Sequence, residues 1–387
     1  MINATACNKV GDKGIPEGLS FWLDFLRGIS ALLVVFSHIR IHFLGFWIER
    51  PEASMPDWLL RSFYALTGLG HEAVIVFFVL SGFLVGTKFF PGSVYRKDEF
   101  SRYLVNRLAR IWTVLIPAIL ISVIVSYCLY YNLPENAFFH IEPCVPSAIN
   151  VISNIFFLNE GYTETVCSNK PAWSIHSEMH YYILWPLILF GFFSKKISKS
   201  AIICSLLAIF IILSLMVFDT VDKKNTLLLF PIWIAGIVVS KYKLLNIPLW
   251  ILGPILVVTM VLPSLININD FWPLGDYIIA FFVVVFLIRA KISKPINFLK
   301  NLVEWLSKIS FSLYMTHMIV IIVLKNFLQI NFSYETKGAF IDLNLIMVLL
   351  GIFVLSILVA YIFYLAFESN THKTRLMLNN ILRKSSL

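Results

Sequence analysis

Two ionisable residues, Arg27 and His38, lie within one apolar stretch of the chain, residues 20–44. That stretch is long enough to cross a bilayer as a helix, and a charged side chain inside it costs roughly 2.5–3.5 kcal/mol on insertion scales. Because the two residues are eleven apart, they return to within about 20° of each other, about 16 Å apart along the helix axis. One helix face therefore carries a permanent cation and an imidazole that can act as a general base near neutral pH. The alternative is an arginine that reaches the lipid headgroups and a histidine that a neighbouring helix satisfies.

Two further groups of residues suit a bound ligand. Ser81 precedes Gly82 in a second apolar segment, where small residues let helices pack closely or let a backbone approach a ligand. Arg107 and Arg110 are neighbours on one helical face at the start of a third apolar segment. This pair is either an anchor at the headgroups or a site for a phosphorylated cofactor, because arginine binds phosphate oxygens in a bidentate way.

A fourth apolar segment begins with polar and aromatic residues. They are Trp173, Ser174, His176, Glu178, His180, Tyr181 and Tyr182. Aromatic residues at the wet end of a span can offer their faces to a sugar ring. His176 and His180 have a spacing that can bind zinc, but no cysteine or aspartate completes a site, so we predict no metal. A later apolar segment carries Tyr314 and His317, the latter predicted near the middle of the membrane.

These residues must be positioned by helices in a membrane. Of the 387 residues, 59% are hydrophobic and 14% are charged, and the mean hydropathy is +0.82. A soluble domain of this length could not bury so much apolar surface, so we predict an all-α polytopic membrane protein. Ten segments are predicted to span the membrane, namely 20–44, 69–90, 110–131, 173–194, 199–219, 225–241, 247–266, 272–290, 308–329 and 343–367.

The predicted organisation is one transmembrane domain, residues 1–387, with both termini in the cytoplasm. In this orientation 22 of the 31 lysines and arginines face the cytoplasm and six lie in outer loops, which agrees with the positive-inside rule. The net charge of +9 therefore reflects topology, and the expected partner is the lipid bilayer rather than nucleic acid. We expect an N-terminal cytoplasmic segment at 1–19, an outer loop at 132–172 and a C-terminal cytoplasmic tail at 368–387.

The predicted outer loop contains two cysteines, Cys144 and Cys167. Two cysteines on the oxidising face of a membrane can pair, so we predict a disulfide between them, although spacing alone does not fix its geometry. The bridge would close a loop of about 23 residues, for which the chain-entropy model gives roughly 3 kcal/mol of stabilisation.

Four motifs, in this order, resemble those of the acyltransferase-3 family of integral-membrane O-acyltransferases. They are Arg27 with His38, the segment 77–84 around Ser81 and Gly82, the segment 173–182 with Trp173, Ser174, Glu178 and Tyr182, and the segment 310–317 with Ser310, Ser312, Tyr314 and His317. The resemblance covers nearly the whole chain. One departure puts any role of Glu368 in doubt, because the family often has a proline two residues after this glutamate and this chain has Asn370.

The resemblance implies a stand-alone transmembrane O-acyltransferase in a bacterial-type cytoplasmic membrane. Such a protein moves an acyl group, usually acetyl from acetyl-CoA, to a hydroxyl of a surface glycan or its lipid-linked precursor. The implied catalytic residues are His38, Arg27 and Glu178. Acyl-CoA, the donor substrate, would bind at Arg27, Ser81, Arg107 and Arg110, with no tightly bound cofactor. The acceptor would bind at Trp173, Ser174, Tyr181, Tyr182, Tyr314 and His317.

Several alternatives stay open at this stage. His38 would act either as a general base or as the carrier of an acyl group, and Glu178 would either orient it or bind the sugar. A transporter of a glycan or polyol could use Arg27, Glu178 and His317 in a proton or substrate path, but the sequence shows no inverted repeat. A membrane scaffold would not need ionisable residues inside its spans.

Overall fold

The computed structural model describes residues 15–47, 56–89, 97–132, 145–194, 198–219, 224–241, 247–265, 273–291, 293–332 and 343–385. Within these ranges the chain forms α-helices and short 3-10 helices, and no β-strand. The α-helices are α1 (Glu17–Leu44), α2 (Asp57–Thr67), α3 (Gly70–Gly86), α4 (Lys97–Asn132), α5 (Ala148–Ile155), α6 (Trp173–Phe192), α7 (Lys199–Phe218), α8 (Thr226–Val239), α9 (Leu249–Leu265), α10 (Leu274–Ala290), α11 (Lys300–Phe332), α12 (Leu343–Ala366) and α13 (Thr371–Ser385). The 3-10 helices that precede α6, α11 and α13 are Cys167–Ala172, Asn297–Leu299 and Glu368–Asn370.

The all-helical membrane architecture predicted from the sequence is confirmed, and each of the ten predicted segments contains an α-helix. Among the described residues, six helical stretches are long and apolar enough to cross a bilayer, namely Glu17–Leu44, Asp57–Gly86, Phe100–Tyr131, Lys199–Phe218, Asn297–Asn331 and Leu343–Leu382. Two apolar helices, Thr226–Val239 and Leu249–Leu262, are shorter. The count of ten spans and the cytoplasmic placement of both termini stay predictions.

Three helices, α2, α5 and α13, lie outside the predicted spans. They are short, and hydropathy over a span-length window passes over short helices with one polar face. The side chain of Ser147 caps α5, since its hydroxyl accepts a hydrogen bond from the backbone N–H of Asn150 at 3.1 Å. The predicted C-terminal tail is helical as α13, which packs along α4, with the hydroxyls of Thr113 and Thr374 2.9 Å apart.

Contacts divide the chain into two compact units, of which the first comprises Met1–Val34, Asp57–Lys88 and Ile232–Ser310. Glycines bring its helices into close contact. A Cβ added to Gly82 of α3 would overlap the carbonyl oxygen of Trp233 on α8, and one added to Gly236 would overlap that of Val79. On α1, a Cβ at Gly28 would lie 3.0 Å from the Cβ of Leu306 on α11. The small residues of this unit therefore serve helix packing.

The second unit comprises Val35–Pro56, Phe89–Pro231 and Phe311–Leu387. In it, α6 and α7 pack along each other around Leu184, Leu187, Ala208 and Leu215. The segment before α6 is held by three side-chain amides that donate to backbone carbonyls. These hydrogen bonds are Asn154 to Glu164 at 3.0 Å, Asn159 to Ala172 at 3.4 Å and Asn169 to Met315 at 3.1 Å. These hydrogen bonds in the described part of the predicted outer loop therefore hold the start of α6 in place.

The predicted disulfide falls outside this description. Cys144 lies outside the described residues, and the side chain of Cys167 is likewise not described. The pairing stays a prediction. Among the described cysteines, Cys128 on α4 and Cys204 on α7 are not part of a disulfide.

Candidate active site

His38 and His317 form a pair of imidazoles in the second unit. The side chain of His317, on α11, is fully buried, and its Nε2 lies 3.3 Å from Nδ1 of His38 on α1. The two ring centroids are 5.0 Å apart. His38 itself is half-buried. One nitrogen of its ring therefore faces a buried partner, and part of the ring is accessible to a reactant.

The start of α6 is fixed against α11 one turn from His317. The Tyr314 hydroxyl lies 2.9 Å from the Pro171 carbonyl and 2.8 Å from the Ser174 hydroxyl, which is itself 3.4 Å from the same carbonyl. Both side chains are buried. The ring centroid of Tyr314 lies 6.0 Å from that of His317. Ser174 and Tyr314, both predicted to bind the acceptor, are therefore next to the imidazole pair.

Glu178 is at the centre of a second polar group on α6 and α4. The Tyr182 hydroxyl, one turn further along α6, donates a short hydrogen bond to the Glu178 carboxylate. The guanidinium of Arg107 lies over two phenol rings, 4.8 Å from the centroid of Tyr182 and 5.5 Å from that of Tyr103. Glu178 also interacts electrostatically with the Arg107 cation and with the hydroxyl of Tyr314. The carboxylate and the cation therefore compensate each other's burial, beside the Tyr314 hydroxyl.

Arg107 and Arg110 differ in their surroundings although they are one turn apart. Arg107 is half-buried between aromatic rings, whereas Arg110 is exposed. Tyr103 is a site residue that the sequence reasoning missed. It lies four residues before Arg107, the spacing at which helical side chains meet, and that spacing was the available signal.

Arg27 belongs to a three-residue polar cluster in the first unit. Its guanidinium donates to Asp24 at 3.3 Å and to the Ser307 hydroxyl at 3.1 Å, and Ser307 donates to the same Asp24 oxygen at 2.6 Å. The side chains of Arg27 and Asp24 are 20% and 26% exposed, so the ion pair is largely buried. Asp24 is not among the residues predicted from the sequence, although its position three residues before Arg27 indicates that the two side chains are neighbours on the helix. The cation on α1 thus has a local carboxylate partner.

Three other predicted residues, Ser81, Tyr181 and Trp173, are buried. The Ser81 hydroxyl, in the first unit, accepts from the indole Nε1 of Trp233 at 3.1 Å. In the second unit, the fully buried Tyr181 donates to the carbonyl of Thr226 at 2.7 Å. Trp173 is buried at the start of α6. The structure therefore brings His38, His317, Tyr314, Ser174, Glu178, Tyr182 and Arg107 together in the second unit, and it describes Arg27 and Ser81 in the first.

Glu368, whose role the sequence left in doubt, makes a defined contact in the second unit. Its carboxylate accepts from the backbone N–H of Ser312 at 3.1 Å and from the Ser312 hydroxyl at 2.6 Å. Ser312 lies five residues before His317 on α11. The carboxylate therefore fixes α11 near the imidazole pair without the following proline.

His176 and His180 are adjacent, with ring centroids 4.2 Å apart. The Nδ1 of His176 donates to the carbonyl of Phe157 at 2.7 Å, and that of His180 donates to the carbonyl of His176 at 2.8 Å. Among the described residues, no group of three histidines, cysteines or carboxylates comes close enough to hold a metal ion. His176 therefore anchors the segment around Phe157 to α6.

Known proteins share parts of this sequence. A protein of Haemophilus influenzae, described as uncharacterized, is 29% identical over 145 residues, which are 36% of this chain and 58% of that protein. The O-acetyltransferase PaAT-1 of Phomopsis amygdali is 35% identical over 79 residues, 20% of this chain and 16% of that enzyme. The chain thus spans just over half of the first relative and a small part of the second. No solved structure matches it.

A family match covers far more of the chain than either relative. The family model described as an acyltransferase domain matches residues 20–365. These residues include all four motifs, from Arg27 in α1 to His317 in α11. The chain therefore belongs to the acyltransferase-3 family of integral-membrane acyltransferases.

Proposed function

We propose that this protein moves an acetyl group from cytoplasmic acetyl-CoA to a hydroxyl of a surface glycan or its lipid-linked precursor. The observation that carries the proposal is the half-buried His38 hydrogen-bonded to His317, in a chain of the acyltransferase-3 family. An imidazole can take up and release a proton, which suits the removal of a proton from a sugar hydroxyl. The name of the O-acetyltransferase relative supports acetyl transfer to oxygen.

The proposed reaction is a direct transfer at His38. One imidazole nitrogen takes the proton of the acceptor hydroxyl, and the oxygen of that hydroxyl bonds to the thioester carbonyl carbon. The carbon–sulfur bond then breaks, and the sulfur of CoA leaves as a thiol after it takes that proton from the imidazolium. The same histidine thus serves as base and then as acid.

The donor is proposed to bind through arginines. Arg110 is exposed, and arginine can bind a phosphate bidentately. The guanidinium carbon of Arg107 lies 4.8 Å from the ring centroid of Tyr182, and a guanidinium has five N–H donors with which it can bind a phosphate oxygen. Arg27 and Ser81 are proposed to contact the donor as well, Arg27 because it lies on α1 eleven residues before His38.

The acceptor is proposed to bind at the start of α6 and at Tyr314. Ser174 and Tyr314 lie beside the imidazole pair, and Glu178 with Tyr182 offers a carboxylate and a ring for sugar hydroxyls and faces. Trp173, which is buried at the start of α6, is proposed to line the site with its ring. Tyr181 is proposed to hold α6 in place at this site, since its hydroxyl donates to the backbone carbonyl of Thr226.

The release of CoA tests the proposal. Membranes that contain the protein should release free CoA from acetyl-CoA only when a glycan or lipid-linked sugar acceptor is added, and mass spectrometry should find the acceptor heavier by one acetyl group. Membranes with His38→Ala are the matched control. A transporter would move the acceptor without releasing CoA, and that result would overturn the proposal.

A further inference from the structure

We infer that His317 is a positioning residue that holds His38 in one tautomer and one orientation, and is not a contact for the acceptor. The inference rests on the proposed acyl transfer at His38. It reassigns His317, which the sequence motifs place among the acceptor-binding residues. The inference follows from the direction of two hydrogen bonds.

The first hydrogen bond fixes the tautomer of His317. Its Nδ1 lies 3.1 Å from the backbone carbonyl of Leu313. A carbonyl oxygen can only accept, so the proton of the neutral His317 ring is on Nδ1. Its other nitrogen, Nε2, then carries a lone pair.

The second hydrogen bond passes this assignment to His38. Because Nε2 of His317 is an acceptor, Nδ1 of His38, 3.3 Å away, must be the donor. The neutral His38 therefore carries its proton on Nδ1 and its lone pair on Nε2. Nε2 is then the nitrogen that would take the proton of the acceptor hydroxyl. In serine proteases a buried carboxylate fixes the tautomer of the catalytic histidine in the same way, by accepting from its Nδ1–H.

The neutral form of His317 follows from its surroundings. The side chain is fully buried, and a buried charge is costly unless it is paired. The groups that face it are the imidazoles of His38 and His42 on α1, the ring of Tyr314 and two backbone carbonyls of its own helix. These groups supply no negative charge. His317 therefore acts as a neutral acceptor.

The position of His317 is fixed from both sides. The Ser312 backbone and hydroxyl are bonded to Glu368, and Tyr314 is bonded to Pro171 and Ser174. These contacts set the rotation of α11 about its axis at the level of His317. A ring held in this way restrains the plane of the His38 ring as well.

Three substitutions of His317, in the full-length protein in detergent or nanodiscs, test the inference. His317→Leu removes the acceptor and should lower kcat by about 10²-fold or more, with the KM values for acetyl-CoA and acceptor within roughly threefold of wild type. His317→Gln offers an amide oxygen to Nδ1 of His38 and should recover at least about tenfold of that loss. His317→Glu offers a carboxylate, which favours the imidazolium. The acid limb of the kcat/KM profile should therefore move to higher pH.

His42→Leu, on the next turn of α1, is the matched control and should change kcat little. Thermal unfolding of each variant checks that it is folded. If folded His317→Leu keeps kcat and raises KM for the acceptor, His317 binds the acceptor and the inference is wrong. If Gln and Leu are equally inactive and the Glu variant shows no shifted pH profile, hydrogen-bond acceptance by His317 is not its role. The proposed function fails separately, when His38→Ala remains active.

Discussion

Two ionisable residues of α1, Arg27 and His38, are accommodated in opposite ways. Arg27, in the first unit, keeps its charge beside the carboxylate of Asp24, and Ser307 bonds to both. His38, in the second unit, instead meets a second imidazole, His317. A permanent cation in an apolar helix needs a counter-charge, so it is suited to hold a fixed anionic group. A neutral base is suited to gain and lose a proton.

The helix α11 supplies a partner in both cases. Ser307 and His317 lie ten residues apart on it, and Arg27 and His38 lie eleven apart on α1. Each pair is formed within its own unit. The serine adds a hydroxyl to an existing ion pair, whereas the histidine is a hydrogen-bond partner of His38 Nδ1. Substitutions in the two regions should therefore differ in size and in kinetic signature.

Removal of the His38 imidazole should have the largest effect. His38→Ala should lower the rate of acetyl transfer by about 10²–10⁴-fold, the usual contribution of a general base, while thermal stability stays near wild type because the side chain is half-buried. The measurement is CoA release by purified protein with acceptor present. His42→Ala, one turn further along α1, is the control and should retain most activity. A folded His38→Ala protein with normal turnover would show that this histidine moves no proton.

Substitutions in the ion pair of Arg27 and Asp24 should cause the next largest loss of activity. Arg27→Lys keeps the charge but replaces the planar guanidinium, whose Nη1 contacts both Asp24 and Ser307, with a compact ammonium. A hydrogen bond to a charged group is worth about 1.5–3 kcal/mol, so activity should fall about tenfold to a hundredfold in a CoA-release assay. Asp24→Asn should cause a similar loss, because it leaves the cation without its carboxylate. Near-normal activity in Arg27→Lys would mean that positive charge alone is sufficient.

Arg107 and Arg110 should separate donor binding from support of the site. Arg110→Ala, at an exposed position, should raise the KM for acetyl-CoA about tenfold with little change in kcat, because a phosphate contact is made equally in ground and transition states. Arg107→Ala should also lower kcat, since the cation lies over Tyr182 and near Glu178. Initial rates over a range of acetyl-CoA concentrations distinguish the two patterns.

Arg61 provides a matched control for the arginine series. It is exposed on α2 and pairs with Asp57 at 2.8 Å, and such surface ion pairs contribute about 0–1 kcal/mol. Arg61→Ala should leave both kinetic constants unchanged. An equal rise in the KM for acetyl-CoA would indicate a general effect of basic charge near the membrane and not a phosphate site.

Local spacing explains which parts of these two regions the sequence could predict. The apolar segments predict helices well, and Arg27 with His38 stands out because ionisable residues are rare inside such segments. The partners Asp24 and Tyr103 lie within one helical turn of Arg27 and Arg107, so these contacts could be predicted from local spacing. The contact between His38 and His317 joins residues 279 positions apart. A single sequence carries no signal for that contact, which depends on how α1 and α11 pack.

The smallest expected effect belongs to Ser307. Ser307→Ala removes a hydroxyl that donates to Asp24 and accepts from Arg27, but it leaves the ion pair between these residues in place at 3.3 Å. The expected cost is about 1 kcal/mol of stability, seen as a small drop in Tm of the purified protein, with activity within roughly threefold of wild type. Ser310→Ala, one turn later, is the control, because that hydroxyl donates to a backbone carbonyl of its own helix, that of Ser307, at 2.8 Å. A loss as large as that of Arg27→Lys would show that the ion pair depends on the serine, and the contrast between a locally paired cation and a remotely paired imidazole would then no longer hold.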